Sequence, residues 1–572
     1  MRIYNSAISA IFDNMADLLE IEGGNPFRVR AYRTAARTIN SLSQDVSDLI
    51  ANGEDLSKFP GIGKDLAGKI KEIVSTGHLS AFEDLSKRIN PELIKYMKIE
   101  GLGGKRVAAI NSRLGIYTLE QLEEAAREHK ICKLPGFGEN VERSILQGIK
   151  RAREYGNRIM LLEAEDIAAG VIKHLSVVVD QEKMVVAGSF RRRRETVHDL
   201  DILVTGDSAR ISERFLSFPQ IAKVLSSGGT RTTVVLKSGV QVDIRVVPQE
   251  SCGSALHYFT GSKPHNIAVR KRGVKRGLKI NEYGVFRGEM RIGGEREEDV
   301  FSAVGLPFIE PELREDTGEI EAAERGELPL LIELNQIRGD LHTHTSRTDG
   351  HASMEEMVAA ARAKEYEYLA ITDHSKHLAM TRGLKERDLA EQIEHIDKIN
   401  ETLEGFTVLK GIECDILEDG SLDLSDSILK ELDVVVCSVH YKFNLSRGKQ
   451  TKRILKAMDN RYLNILAHPT GRLINRREPY DIDFEAVLKG AKERGCFVEV
   501  NGYPDRLDLD ETHCRLAKEM GVKVAIDTDS HSTGDLDFMR FGVGQARRGW
   551  LGREDVINTR DLEGLRRLLR RW

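Results

Sequence analysis

The sequence predicts a multidomain chain: an all-α amino-terminal region, an α/β middle portion and a carboxy-terminal β/α barrel. Three observations carry this. At 572 residues the chain is too long for one hydrophobic core, and roughly three to five domains are expected. Residues 1–155 place apolar side chains at helical spacing with few β-branched runs. Residues 336–572 alternate short apolar runs with amphipathic stretches, the order in which a parallel barrel is built.

An apolar content of 40% and a charged content of 31% describe an ordinary soluble protein, and a net charge of −5 argues against a simple nucleic-acid coat. The total hides an asymmetry. Residues 1–313 hold 46 Lys and Arg against 41 Asp and Glu, whereas the remainder holds 39 against 49, with ten of the sixteen histidines. A mildly basic front tolerates a polyanion; an acidic, histidine-rich rear points to metal binding. The six cysteines form no C-x-x-C pair and suit a reducing compartment. The amino terminus lacks a signal-peptide core, and no run approaches the roughly 20 apolar residues of a membrane span. A cytoplasmic protein without membrane contact is expected.

Within the helical region, which divides into domains 1–80 and 81–155, a signature recurs. FPGIGKDLAGKI (59–70), IEGLGGKRVAAI (99–110) and LPGFGENVERSI (134–145) each set a G-x-G turn before a helix. Glycines at Gly61, Gly63, Gly101, Gly103, Gly136 and Gly138 let a phosphate approach the backbone, where unpaired N–H groups at the helix start face it. One such turn is as readily a helix connector, but three together favour DNA. They resemble helix-hairpin-helix motifs, which position a duplex without reading its sequence. The segment NPFRVRAYRTAA (25–36) resembles the small amino-terminal domain of the DNA polymerase beta family, which holds a 5′-phosphate across a gap. That resemblance puts Arg28 and Tyr32 on phosphate-pocket positions and Lys69 on the Schiff-base lysine of lyase-competent members. Asp65 stands where those members carry a basic residue, so a surface lysine is the plainer reading of Lys69.

The middle portion is organised around AGSFRRRRETVHDLDILV (187–204), a strand, a Gly-Ser turn, four arginines and a second strand. Strand side chains alternate faces, so Asp199 and Asp201 project side by side, which is costly unless a cation sits between them. Asp243, inside VQVDIRVV (240–247), is a third candidate. Three carboxylates on neighbouring strands make an oxygen cage for paired Mg²⁺ or Mn²⁺ ions. Gly188, Ser189 and Arg192 suit a triphosphate through backbone N–H groups and bidentate guanidinium contacts. A bare D-x-D is usually a solvated strand end; the Gly-Ser-Arg turn and the third strand aspartate reverse that. The set resembles the nucleotidyltransferase palm of family X DNA polymerases (156–250). The resemblance implies that Asp199, Asp201 and Asp243 are the metal-binding triad, with Asp243 activating the primer 3′-hydroxyl, and that Ser189 and Arg192 contact phosphate.

A thumb (251–313) follows. HYFTGSKPHNIAVRKRGVKRG (257–277) resembles the sugar pocket of the same family at Tyr258, Phe259, Gly261 and Ser262, which leave little room for a 2′-hydroxyl. By resemblance Lys263 adds a phosphate contact, and Asn266 and Arg270 face the base and the template side. Two core aromatics are the plain alternative for the Tyr-Phe pair. Arg270, Lys271, Arg272, Lys275 and Arg276 read as a helix face against nucleic-acid backbone, or as a solvated face. Residues 305–335 are Pro/Glu-rich and read as a linker (314–335) or peripheral brace outside any core.

From residue 336 onward, potential ligands end successive apolar runs: His342, His344 and Asp349, then His374, Glu413, His440, His468, Asp529 and His531. His342 and His344 are expected on one strand, sharing a face. A lone histidine after a strand is usually structural, whereas six with three acids are hard to assign to chance. The pattern resembles the PHP (polymerase and histidinol phosphatase) domain. It implies a distorted (β/α)₇ barrel whose nine ligand positions are filled, with three divalent metals (Zn²⁺, Mn²⁺ or Fe²⁺) and hydrolytic chemistry. Arg472, Arg476 and Arg477, in the loop past His468, are candidates to grip DNA phosphates, with a plain surface loop as the alternative.

The resemblance covers essentially the whole chain. It implies a monomeric, template-directed gap-filling DNA polymerase of family X that uses dNTPs on gapped or primer-template DNA. A PHP-domain 3′-5′ exonuclease accompanies it, extending to abasic-site cleavage, in base excision repair. Two other readings compete. A template-independent nucleotidyltransferase with a PHP phosphoesterase leaves the helix-hairpin-helix turns and the Asn266/Arg270 pair unexplained. A repair scaffold with decayed sites leaves three intact aspartates and nine intact ligands unexplained.

Overall fold

Glycine-punctuated helices build the amino-terminal region, as the apolar spacing predicts. The computed structural model describes residues 5–40, 46–97, 99, 102–155, 158–378 and 381–569. Helices α1 (Asn5–Glu22) and α2 (Pro26–Asn40) pack together around Phe12, Leu18, Tyr32 and Ile39, all buried. Asn25 starts α2 by accepting from the Phe27 N–H at 2.8 Å. Helices α3 (Lys64–Thr76), α4 (Gly104–Leu114) and α5 (Glu139–Tyr155) each begin directly after the second glycine of a G-x-G turn. Glycines in left-handed backbone, Gly77 and Gly115, stop α3 and α4.

Contacts divide the chain into two units, residues 1–157 with Asn475–Arg477, and residues 158–474 with 478–572. The second unit opens with α6 (Leu161–Leu175), which packs its buried face with a five-stranded sheet. That sheet holds β1 (Met184–Val186), β2 (Asp199–Val204), β3 (Ile221–Ser227), β4 (Arg231–Leu236) and β5 (Gln241–Val246) in the order β1-β2-β5-β4-β3. Only β2 and β5 run parallel. A one-turn helix, α7 (Gly188–Arg191), links β1 to the arginine run where the sequence predicts only a turn. Strand β3 carries no alternating pattern and is exposed along almost its whole length, which is why its sequence does not announce it.

The thumb holds α8 (Cys252–Thr260), α9 (Lys263–Lys275) and an antiparallel meander of β6 (Lys279–Asn281), β7 (Gly284–Arg287) and β8 (Met290–Gly293). Its core corrects the linker expectation for the first part of 314–335, up to Ala323. Leu313, Ile320, Ala322 and Ala323 are buried with Val269, Val285 and Phe301 in one cluster. Arg314 and Glu319 are themselves fully buried. Two of the charges that made this stretch look solvent-facing are spent internally: His265 Nδ1 lies 2.7 Å from Glu319 Oε1, and Arg314 pairs with Glu297, whereas Glu321, Glu324, Arg325, Glu327 and Glu333 are exposed.

Seven strands follow in strict sequence order, all parallel: β9 (Gly339–Asp340), β10 (Tyr368–Ile371), β11 (Thr407–Asp415), β12 (Val434–Ser438), β13 (Ile465–Leu466), β14 (Phe497–Asn501) and β15 (Val524–Asp527). The ring is nearly closed by a parallel bridge between Thr343 and Ser530. Buried β-branched and aliphatic side chains fill both strand faces, as parallel sheets covered by helices require. Helix α10 (Met539–Arg548) follows β15. No helix among the described residues is long and apolar enough to cross a membrane, and all six cysteines are free thiols.

Candidate active sites

The parallel pairing of β2 with β5 sets Asp201 directly opposite Asp243, and Asp199, two residues from Asp201, shares its face. Asp243 is held by three donors: Thr233 Oγ1 at 2.5 Å, Gln241 Nε2 at 2.7 Å and Arg231 Nε at 2.9 Å. Burial raises its pKa, but these contacts outweigh it and keep the carboxyl below its ordinary value. Asp201 goes the other way. Burial, then the charges of Asp199 and Asp243, push it up to about 6. Crowded carboxylates of this kind are the electrostatic mark of a cation site. Gly188 takes φ +66°, a left-handed backbone that glycine adopts without strain, beside Asp201 Oδ2. Ser189 follows on α7, half-buried.

Across from these strands, Tyr258 and Phe259 meet edge to face at 5.0 Å. Arg245 lies 4.1 Å over Phe259 and 3.9 Å from Asp201, and Arg270 lies 5.4 Å over Tyr258. The Ser262 hydroxyl caps α9 by accepting from His265 N–H at 3.3 Å, and Lys263 is exposed on its first turn beside Gly261. Asn266 is buried; its Nδ2 donates to Tyr258 O at 2.7 Å while its Oδ1 makes no hydrogen bond. In the basic block, Arg270, Lys271 and Lys275 are exposed, whereas Arg272 is committed to Val304 O at 2.8 Å and to Glu324.

In the barrel, the carboxyl ends of the strands bring all nine predicted side chains together. Eight of them fall into three groups of mutually close donor atoms: His342, His344 and Asp529; His344, Asp349, His374 and His531; and His374, Glu413 and His440. His468 Nε2 reaches Glu413 Oε1 at 3.0 Å. Strand β9 ends at Asp340, so His342 and His344 stand on the extended segment beyond it rather than on the strand expected from the sequence. His468 and Asp529 sit in left-handed backbone, at φ +27° and +53°, a cost of about 1–3 kcal/mol each that tends to mark functional positions.

A metal cluster fits this donor set. His342 Nε2, both ring nitrogens of His344, Asp349 Oδ1 and Glu413 Oε2 are buried without a hydrogen bond, an expensive state unless an ion satisfies them. His374 Nδ1 and Glu413 Oε2 lie 2.7 Å apart, also without hydrogen-bond geometry. The charges are sharply divided. Burial lowers His531, yet Asp349 and Asp529 outweigh it and raise it to about 9. Burial, with His531 and His374 alongside, pushes His344 down to about 3. Burial raises Glu413, but the surrounding His440, His374 and His342 hold it well below the carboxylate range.

Known families match the chain in the same order as these parts. A helix-hairpin-helix domain matches residues 3–79, a SAM-like helix-hairpin-helix tandem 93–151, a DNA polymerase beta palm 158–238, a DNA polymerase beta thumb 255–315, and a PHP domain 340–501. The DNA polymerase/3′-5′ exonuclease PolX of Bacillus subtilis (strain 168) is 39% identical over 576 residues, covering 100% of both chains. The chain belongs to the PolX family. DNA polymerase lambda of Rattus norvegicus is 25% identical over 344 residues, 54% of this chain and 56% of its own. A probable phosphatase of Thermoanaerobacter sp. (strain X514) is 32% identical over 232 residues, 38% of this chain and 89% of its own.

In this PolX chain the arginine run does more than the sequence suggests. Arg191 pairs with Glu297 at 2.7 Å, Arg192 with Glu315 at 3.0 Å and Arg193 with Glu165 at 2.8 Å, while Arg194 approaches both Glu315 and Glu511. Barrel arginines share the same acids: Arg540 bonds Glu165 at 3.0 Å, and Arg548 bonds Glu315 and Glu511. The run is a seam between palm and barrel. Arg472 belongs to that seam, donating to Glu195 at 2.7 Å and to the Arg506 and Leu507 carbonyls, which corrects the expectation that it is free to grip DNA.

Sequence reading missed the residues that orient the PolX barrel ligands. Glu499, on β14, accepts from His342 Nδ1–H at 2.6 Å and from the His468 N–H at 2.5 Å. Asp373 holds Thr345 and Thr348 in the loop leading to Asp349. Arg506 Nε lies 3.3 Å from Asp529 Oδ2. A charged residue inside the apolar run CFVEVN was the available signal for Glu499.

In the amino-terminal unit, Gly61 and Gly136 take φ +77° and +82°. Nothing lies within 4 Å of a Cβ built on Gly63, Gly103 or Gly138, so these turns are open to a ligand. Gly101 lies outside the described residues. Arg28 is exposed; Tyr32 is buried with its ring edge-on to Phe12 at 5.3 Å. Lys69 pairs with Asp65 and stands 5.4 Å over the Tyr32 ring. Burial lowers the Lys69 pKa, but Asp65 and Tyr32 outweigh it and raise it, the opposite of what a Schiff-base amine needs.

Proposed function

We propose that the chain is a monomeric, template-directed DNA polymerase that fills short gaps and also trims 3′ ends, working in the cytoplasm in base excision repair. One observation carries the reading: a single chain holds both a strand-paired aspartate triad and a nest of six histidines and three acids at a barrel mouth. Asp199, Asp201 and Asp243 would hold the polymerase metals. Mg²⁺ or Mn²⁺ bound there would favour ionisation of a primer 3′-hydroxyl and neutralise the pyrophosphate that leaves as the new phosphodiester forms. Asp243, kept ionised and fixed by its three donors, is oriented to take the hydroxyl proton. Gly188, Ser189 and Arg192 line the phosphate side together with Gly261, Ser262 and Lys263. Tyr258 and Phe259, braced by Arg270 and Arg245, wall off the space beside a sugar C2′. Asn266, whose Oδ1 has no partner, offers an acceptor at the base.

In the barrel, His342, His344, Asp349, His374, Glu413, His440, His468, Asp529 and His531 would hold Zn²⁺, Mn²⁺ or Fe²⁺. Such ions, when bound, supply hydroxide at neutral pH and neutralise a phosphodiester. Glu499 fixes the tautomer and direction of His342, and Arg506 balances the charge of Asp529. Open G-x-G turns at Gly61/Gly63, at Gly103 and at Gly136/Gly138 would carry the duplex backbone, with Arg28 at its 5′ end.

The test separates the halves. Asp201→Ala is expected to lower dNTP incorporation at least about 10³-fold in a gapped-duplex extension assay while leaving 3′ trimming intact, and His344→Ala the reverse. Loss of both activities in either folded variant would contradict the division. The likeness to a probable phosphatase favours a second reading, in which the barrel hydrolyses small phosphate esters. Faster turnover of p-nitrophenyl phosphate than of a recessed 3′ end would support it.

A further inference from the structure

The palm and barrel meet where the nucleotide phosphates would lie, and one barrel side chain is placed to act on the chemistry of the other half. We propose that Arg548, the last residue of α10, is a positioning residue for nucleotide incorporation, acting through Glu315 to fix Arg192. The proposal rests on reading Arg192 as a triphosphate ligand.

Arg548 is 1% exposed, and a buried guanidinium is costly unless its donors are spent. It spends both Nη groups on the neighbourhood of Arg192, while its buried Nε makes no hydrogen bond among the described residues. Nη1 donates to the Arg192 backbone carbonyl at 2.9 Å and to Glu315 Oε1 at 3.1 Å; Nη2 donates to Glu511 Oε1 at 2.7 Å. Arg548 therefore holds the main chain of Arg192 and the acid that orients its side chain. Arg192 Nε donates to the same Glu315 oxygen at 3.0 Å, and its Nη1 donates to the Thr260 carbonyl. Its Nη1 stands 3.1 Å from where a Cβ on Gly261 would sit, so the guanidinium borders the Gly261–Ser262–Lys263 strip. Nη2 of Arg192 makes no hydrogen bond among the described residues, which leaves one edge of the fork for a phosphate.

Charge points the same way. Arg192, Arg194 and Arg548 face Glu315 and Glu511, a cluster with one net positive charge. Without Arg548 that excess disappears, and Glu315 is left to pull on Arg192 and Arg194 only. The phosphate side then loses both attraction and direction. Helix α10 is suited to hold the contact, since Arg540 and Arg547 also anchor it, to Glu165 and Glu312.

The test uses the full-length chain on a duplex with a one-nucleotide gap, measuring KM for the complementary dNTP, kcat and 3′ trimming. In Arg548→Met, KM for dNTP is expected to rise about tenfold, with kcat within about twofold and trimming unchanged. Arg548→Lys, which keeps the charge but reaches fewer acceptors, is expected to recover part of that loss. Arg192→Ala is the companion measurement. If it raises KM while Arg548→Met stays within twofold of the native chain, the relay is wrong and the role of Arg192 survives. If Arg192→Ala leaves KM unchanged, the reading beneath the relay is wrong. Should Arg548→Met lose trimming as well, Glu511→Gln decides, because it loosens Arg548 without opening a cavity. A rise of about threefold in KM then supports the relay, and no change overturns it.

Discussion

Glu297 shows how much one buried acid can carry. It is 6% exposed and takes two arginines, Arg191 from the palm and Arg314 from the thumb. Burial raises its pKa, but Arg191 and Arg314 outweigh it and bring the carboxyl to about 2, from an ordinary 4.5. A depressed carboxylate contributes stability that is complete above the ordinary value and lost as pH falls through the folded one. The shift corresponds to about 3 kcal/mol. Glu297→Gln should therefore be less stable than the native chain at pH 7 by about that amount, with the gap closing as pH falls from 4.5 towards 2. Urea unfolding of both proteins between pH 7 and 4 measures the onset; a gap that widened on acidification would contradict the assignment. Glu297 sits in a seven-residue helix among exposed charges, so its sequence reads as surface and its burial was not legible. Asp199, Asp201 and Asp243 were legible, because alternating strands display their side chains at a period of two.

At the scale of elements, the G-x-G turns give a test with opposite signs. Gly63 caps α3 in extended backbone, with nothing within 4 Å of a Cβ built on it. Asp is a better cap than Gly by a few tenths of a kcal/mol, so Gly63→Asp should keep or slightly raise the melting temperature. The same carboxylate would face a DNA phosphate, and duplex affinity should fall about tenfold at low salt. Fluorescence anisotropy with a labelled gapped duplex, beside thermal melting, reads both; undiminished affinity would remove this turn from the DNA surface. Helices and glycine punctuation are local properties and were readable in order. Strand β3 was not, since an exposed edge strand has no apolar face to mark it.

For the whole molecule, the barrel's buried unpaired donors predict that metal and fold are linked. A metal that binds only the folded state at 100 times its dissociation constant adds about 2.7 kcal/mol. Chelator-treated protein should unfold at lower temperature than protein supplied with Mn²⁺ or Zn²⁺, and the gain should shrink in Asp529→Asn, which removes a charge facing His342 and His344. Equal melting with and without metal would argue that the nest is satisfied by its own hydrogen bonds. The same scale holds the seam of shared acids, where Glu165 and Glu511 each take one arginine from the palm and one from the barrel, and Glu315 takes two from the palm and one from the barrel.

By itself, the sequence determined the order of the parts, the parallel barrel, the aspartate strand pair and the nine side chains at the strand ends. Those follow from periodicity and from what ends an apolar run, which a chain carries locally. Only the tertiary structure decided that Arg314, Glu319, Ile320, Ala322 and Ala323 are core, that Arg472 is a seam residue, that Glu499 steers His342, and that Arg192 and Arg548 hold one acid. Ion pairs between segments hundreds of residues apart leave no periodic trace, because a charge looks the same in sequence whether it meets water or a buried partner.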